Sequence, residues 1–176
     1  MEPTQTALIV PIPEAEEAVG RFRAALDRAA SWGVPAHVTV LYPFLPPQRI
    51  TEQDLAALRD TIAGIPRFDV ALTHVDWFGD TVLWLAPQPD RPFRDLTEAV
   101  WRRFAEAPPY GGAHSDVVPH LTVGHDVDKP VLTHAAETVA AYLPIHAAVD
   151  RVRLIAGTPD VSPWRTVREF PLGAHP

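Results

Sequence analysis

Two copies of one short pattern hold the side chains best suited to chemistry in this sequence. Residues 37–40 read His-Val-Thr-Val and residues 120–123 read His-Leu-Thr-Val, each closely preceded by a proline. Random placement of the chain's histidines, threonines and valines would give roughly 0.06 matches to His-x-Thr-Val. Two matches therefore indicate a repeated functional element and not a coincidence.

The spacing of this pattern puts its polar side chains together. Side chains alternate along a strand, so His37 and Thr39 share one face, as do His120 and Thr122. One imidazole can take a proton from water or a ribose hydroxyl while the other protonates a leaving oxygen. Threonine hydroxyls can donate hydrogen bonds to non-bridging phosphate oxygens. The two motifs predict phosphoester chemistry without a metal ion.

The elements around the motifs follow the same order in both halves of the chain. Hydrophobic periodicity and turn residues predict strand, helix, strand, helix, strand in each half. The predicted strands cover 7–10, 37–44, 68–78, 81–86, 118–127, 145–155 and 165–172, and the predicted helices cover 13–30, 51–64, 93–105 and 131–143.

This order predicts an α+β fold, a bilobal duplicated αβ repeat in which two antiparallel sheets flank a central cleft. Residues 1–176 are expected to form a single bilobal domain, with pseudo-repeat halves at 6–78 and 80–172. A pseudo-two-fold axis between the halves would bring the two motifs together in the cleft.

Composition excludes several other classes of protein. The 176 residues include no cysteine, which rules out thiol nucleophiles, disulfides and thiolate zinc sites. The net charge of −7 argues against an extended nucleic-acid surface, and the single lysine, Lys129, lies in a turn-like segment unsuited to a covalent adduct. No apolar run approaches the roughly 18 to 20 residues of a membrane span, and the N-terminus lacks a secretory signal. We expect a cytoplasmic protein with no membrane partner, and a monomer is favoured.

On these motifs and their placement in two αβ repeats, the sequence resembles the 2H phosphoesterase superfamily. That superfamily includes the 2′-5′ RNA ligase-like proteins and the RNA 2′,3′-cyclic phosphodiesterases, and the resemblance covers nearly the whole chain. It implies that His37 and His120 are the catalytic pair and that Thr39 and Thr122 bind the phosphate. It also implies a bilobal fold with the active site between the lobes and no metal or other cofactor.

The function that the motifs and the resemblance favour is that of a metal-independent phosphodiesterase. Its expected substrate is a 2′,3′-cyclic phosphate or a 2′-5′ phosphodiester of a nucleotide or short RNA end. The resemblance also admits ADP-ribose cyclic phosphate or a non-nucleotide phosphodiester. The alternative is a catalytically silent nucleotide- or phosphate-binding module of the same fold. Because the chain is acidic, we expect a small substrate bound at a single phosphate.

Three further residues are candidates for contact with the substrate. Tyr42 lies five residues after His37, near a position where some members of the family place an aromatic residue. Packing beneath the sheet is the alternative for Tyr42. Trp164 and Arg165, in the last hairpin, could supply a base-stacking ring and a phosphate-binding guanidinium, or equally a core residue and a surface ion pair.

The other histidines raise the question of a metal site. A cluster of His114, Asp116, His120 and His125 would be its candidate, but strict alternation puts His120 and His125 on opposite faces of their strand. The sequence also lacks a His-x-x-x-His helical pair. We therefore expect no metal site. The remaining histidines are expected at the surface, and these are His74, His134, His146 and His175.

Overall fold

The computed structural model describes residues 1–114, 116–161 and 163–176, which contain one eight-stranded sheet. Its strands are β1 Gln5–Pro11, β2 His37–Leu41, β3 Phe68–Phe78, β4 Val82–Gln88, β5 Leu121–His125, β6 Ile145–Val149, β7 Arg151–Gly157 and β8 Arg165–Pro171. The helices are α1 Glu16–Leu26, α2 Arg28–Ser31, α3 Glu52–Ala63, α4 Arg91–Arg103 and α5 Lys129–Ala140. Each of these helices falls short of the length and apolar character that a bilayer span requires.

The two motif strands lie side by side at the centre of the sheet. The strand order is β6-β3-β4-β5-β2-β1-β7-β8, and β2 and β5 pair antiparallel at Val38 and Leu121. The two antiparallel sheets expected from the sequence correspond to two four-stranded lobes. The pairing of β2 with β5 joins these lobes edge to edge into one sheet. The first lobe is β2-β1-β7-β8 and the second is β6-β3-β4-β5. The predicted α+β fold is confirmed.

Each lobe combines strands from both halves of the sequence. β3, which ends the first half, pairs with β4 and β6 of the second half. β7 and β8 come from the end of the chain, and they extend the first lobe from β1. The chain therefore crosses between the lobes twice, once between β2 and β3 and once between β6 and β7.

The apolar residues of the motifs anchor β2 and β5 in the core. α1 packs on β5 and α4 packs on β2, so each helix supports the motif strand that belongs to the other half of the sequence. Val38, Val40, Leu121 and Val123 are all at most 1% exposed and belong to one core cluster. Because side chains alternate along a strand, this burial turns the polar motif residues to the opposite face.

Two of the predicted elements are wrong because a single aspartate interrupts each of them. The predicted helix 13–30 breaks at Asp27, which is extended (φ −120°, ψ 113°) and whose side chain caps α2 by accepting a hydrogen bond from the Ala29 N–H. The predicted strand 145–155 is two strands separated at Asp150, one in each lobe.

Candidate active site

The central pair of strands brings the two motifs into contact. Continuing the pairing of β2 and β5 by one residue in each direction puts His37 opposite Thr122 and Thr39 opposite His120. All four side chains are partly exposed, whereas their neighbours along each strand are buried. We call these four residues the His–Thr cluster.

Both histidines are held in the same way by the backbone two residues earlier. The distance from His37 Nδ1 to the Pro35 carbonyl oxygen is 2.7 Å, and His120 Nδ1 lies 2.7 Å from the Val118 carbonyl oxygen. A carbonyl oxygen only accepts, so Nδ1 carries the hydrogen in both rings. In the neutral rings, Nε2 therefore presents a lone pair that can take a proton from a bound molecule.

Burial favours the neutral form of both rings. It lowers the pKa of His37 to about 4, because the hydrogen bond to Pro35 opposes the desolvation only in part and the buried Arg23 guanidinium adds repulsion. Burial also lowers the pKa of His120, with a smaller repulsive contribution from His125. Both rings are therefore neutral at neutral pH, which is the form that a general base requires.

The lowered pKa of His37 makes a prediction about folding stability. The unfolded chain binds a proton below about pH 6.5, while folded His37 stays neutral until about pH 4, so stability is lost as pH falls through this window. Between pH 7 and pH 4.5 we expect the unfolding free energy to fall on the order of 2 kcal/mol further in the natural protein than in His37→Gln. Urea unfolding followed by tryptophan fluorescence at both pH values measures this difference. Parallel losses in the two proteins would contradict it.

Two charged side chains of α1 fix the segment that leads into β2. Glu16 Oε1 accepts a hydrogen bond of 2.7 Å from the Ala36 N–H. Arg23, which is 2% exposed, donates to the Asp27 carboxylate at 3.0 Å and to the Val34 carbonyl oxygen at 3.1 Å. Removing either member of this ion pair would leave a buried charge unpaired and would destabilise the fold. The pair therefore holds in place the segment that leads into the first motif.

A cavity of about 330 Å³ opens over the His–Thr cluster. On the first-lobe side, it is lined by Trp32, Tyr42 and Trp164. The rings of Trp32 and Trp164 stack with centroids 6.0 Å apart and planes 15° apart, and Tyr42 lies 6.3 Å from Trp164. Tyr42 therefore lies in the cavity wall and not beneath the sheet. Trp164 both stacks on Trp32 and lines the cavity.

Two of the aromatic residues that line this cavity, Trp32 and Tyr110, are not among the site residues predicted from the sequence. Trp32 follows α2, which the unexpected break at Asp27 creates. Tyr110 has a left-handed backbone (φ 52°), and its N–H donates to the Tyr42 carbonyl oxygen at 2.6 Å. Burial raises the pKa of the Tyr110 phenol, which keeps it a hydrogen-bond donor. No local sequence pattern ties either residue to the motifs.

One arginine reaches the cavity, but it is not the one considered from the sequence. Among the described residues that line the cavity, Arg28 is the only lysine or arginine. Its guanidinium lies 3.5 Å from Asp160, and both side chains are largely exposed, so this pair is weak and the charge remains available to an anion. Arg165 is exposed and lies outside the cavity lining.

The expected separation of His120 and His125 on opposite faces of β5 is wrong. The β4–β5 register shifts after the pairing of Trp84 with Thr122, so that Leu83 faces Gly124 and one residue of β5 is left over. This bulge breaks the alternation, and both histidines line the cavity.

The other two members of the considered metal cluster have separate partners. Asp116 pairs with Arg94 at 3.0 Å, and the His114 ring packs edge-on against Tyr110. Across residues 1–114, 116–161 and 163–176, no group of three or more His, Cys, Asp or Glu side chains is arranged to hold a metal ion.

Solved structures share the fold of this chain over nearly its whole length. The crystal structure of E. coli LigT complexed with 3′-AMP matches with a TM-score of 0.64 at 20% identity, covering 97% of this chain and 99% of that chain. A crystal structure of a phosphoesterase gives 0.60 at 21% identity, covering 97% and 99%. The protein TT0787 of Thermus thermophilus gives 0.60 at 16% identity, covering 97% and 98%. No curated protein matches this sequence.

These matches show that the fold is that of the LigT-like 2H phosphoesterases. The family model described as the 2′-5′ RNA ligase superfamily matches residues 11–160. The chain belongs to this superfamily.

Proposed function

We propose that this chain is a metal-independent phosphodiesterase that uses His37 and His120 as a reciprocal acid and base. The proposed substrate is a 2′,3′-cyclic phosphate or a 2′-5′ phosphodiester of a nucleotide or short RNA end. The observation that carries the proposal is the matched setting of the two rings. Each donates from Nδ1 to a carbonyl oxygen two residues earlier, and both line one cavity.

The proposed reaction needs only groups of this chain and a water molecule. Nε2 of one histidine takes a proton from the attacking water or hydroxyl, and the other, once protonated, gives a proton to the departing oxygen. Thr39 and Thr122 donate hydrogen bonds to the non-bridging oxygens, where negative charge builds up. The mirrored pairing of each histidine with the other strand's threonine supports a phosphorus position between them.

The cavity walls support a nucleotide as the ligand. Trp32, Tyr42 and Trp164 offer aromatic faces for a base on the first-lobe side, and Arg28 offers a cation for a phosphate. Structures of E. coli LigT have been solved with 3′-AMP, phosphate, ATP and NADP⁺. Because Arg28 is the only lysine or arginine among the described residues that line the cavity, we propose a small ligand and no extended nucleic-acid surface.

The second candidate is a catalytically silent nucleotide- or phosphate-binding module of the same fold. One observation favours it. Burial lowers the pKa of both histidines, so at neutral pH neither ring holds the proton that the acid must give. Saturable nucleotide binding with no product at any pH between 4 and 8 would establish this candidate.

Turnover of a 2′,3′-cyclic nucleotide in the presence of EDTA tests the proposed enzyme. We expect activity to survive chelation and to follow a bell-shaped pH profile, because a base and an acid must hold opposite protonation states. The lowered pKa values shift the optimum to the acidic side of 6.5, the ordinary value for histidine. Loss of activity with EDTA, restored by zinc or manganese, would overturn the metal-independent mechanism.

A further inference from the structure

A second aromatic surface lies beside His120, outside the cavity wall formed by the first lobe. Phe78 ends β3 and is 37% exposed, and its ring stacks on Trp84 with centroids 4.7 Å apart and planes 27° apart. The same Phe78 ring meets the His120 ring nearly at right angles, with centroids 5.0 Å apart.

The position of this aromatic pair mirrors that of the first-lobe aromatic residues. Trp84 pairs with Thr122 across β4 and β5, just as Ile9 pairs with Thr39 across β1 and β2. Ile9 packs in one cluster with Trp164, and Trp84 packs under Phe78. The polar faces of β2 and β5 are therefore each bordered, on the side away from the other motif strand, by an aromatic surface.

The Phe78 ring is fixed, yet it is not fully covered. Trp84, which is 5% exposed, supports one face of the ring, and the His120 ring limits its rotation. No described residue accepts a hydrogen bond from the buried Trp84 Nε1, so the indole contributes here through its ring and not through that bond. An exposed aromatic ring held in a fixed plane beside a catalytic imidazole is suited to stacking against a flat ligand.

We infer that Phe78 binds a second nucleoside, the one on the His120 side of the phosphorus in a linear phosphodiester. This inference rests on the proposed function. A cyclic phosphate keeps both ester oxygens on one ribose and needs one base-binding surface, whereas a linear diester carries a nucleoside on each side. The two aromatic surfaces match the linear diester.

Hydrolysis forms a bond from water oxygen to phosphorus and breaks one phosphorus–oxygen ester bond. One proton of the water goes to the basic imidazole, and the acidic imidazole protonates the departing oxygen.

The test compares two substrates with the Phe78→Ala variant. The linear substrate is 2′-5′-linked diadenosine monophosphate, and the cyclic one is adenosine 2′,3′-cyclic phosphate. We expect KM for the linear substrate to rise roughly five- to a hundredfold, the contribution of one stacked base, and KM for the cyclic substrate to change less than about twofold. Because Phe78 also touches His120, any change in kcat should be shared by both substrates.

Two control variants separate stacking from a general loss of structure. Phe78→Tyr keeps an aromatic ring and should keep the natural KM for the linear substrate. Trp101→Ala removes another exposed aromatic residue, in α4 and outside the cavity, and should leave both KM values unchanged.

The outcomes distinguish this inference from the proposed function. Equal KM changes for both substrates in Phe78→Ala, or an unchanged KM for the linear one, would overturn the inference. Hydrolysis of the cyclic substrate alone by the natural protein would overturn it too, while the proposed function would stand. Hydrolysis of neither substrate would overturn the proposed function itself, and the inference with it.

Discussion

Replacing either His37 or His120 with alanine is expected to lower kcat about 10²–10⁴-fold, the usual contribution of a general acid or base. The two variants should lose similar amounts, because the rings occupy mirrored positions with the same Nδ1 hydrogen bond. KM should change much less, since the threonines and the aromatic walls remain. Steady-state kinetics on the cyclic substrate, measured across pH 4 to 8, checks both statements.

His74→Ala is the matched control for these two variants. His74 lies on β3 with an exposed side chain outside the cavity lining, so its removal should leave kcat unchanged. Circular dichroism should show that all three variants fold, because His37 and His120 face the cavity and not the core. If both cavity variants kept the natural kcat, the assignment of the acid and base would be wrong.

The elements of the fold could largely be predicted because they depend on local patterns. Thr51, for example, predicts the start of α3, and the structure shows a full capping box between Thr51 and Asp54. The strand exchange between the lobes could not be predicted in the same way. Whether β3 pairs within its own half or with β4 depends on contacts between distant residues, on which local periodicity gives no information.

The centre of the candidate site was also predictable, whereas its walls were not. Alternation along a strand is a local rule, so the shared face of His37 and Thr39 follows from spacing alone. The position of His125 depends on a bulge in β5, which is set by pairing with β4 and not by its own sequence. Trp32 and Tyr110 reach the cavity through irregular segments whose backbone angles no hydrophobic pattern specifies.

Gly157→Ala is expected to disrupt the aromatic cavity wall formed by Trp32, Tyr42 and Trp164 without contacting the His–Thr cluster. A Cβ atom at Gly157 would lie 2.3–2.5 Å from three atoms of the Trp164 ring, too close for any real contact. The Trp164 N–H donates a hydrogen bond of 2.9 Å to the Trp32 carbonyl oxygen, which holds the backbone, so we expect the ring to move instead. It must therefore leave its stack with Trp32, and overpacking of this kind costs about 1–3 kcal/mol of stability.

The kinetic result separates a binding role of Trp164 from a purely structural one. If the stacked rings hold the nucleobase, Gly157→Ala should raise KM for a nucleotide about tenfold. It should leave kcat within a few-fold, because the proposed acid and base, His37 and His120, stay in place. The double variant Gly157→Ala, Trp164→Leu gives the added methyl group room and should recover part of the lost stability, measured by urea unfolding. It should not recover KM, because leucine has no aromatic face to offer the base. Recovery of both quantities in the double variant would show that Trp164 only packs, and a natural KM in Gly157→Ala would show that the base binds elsewhere.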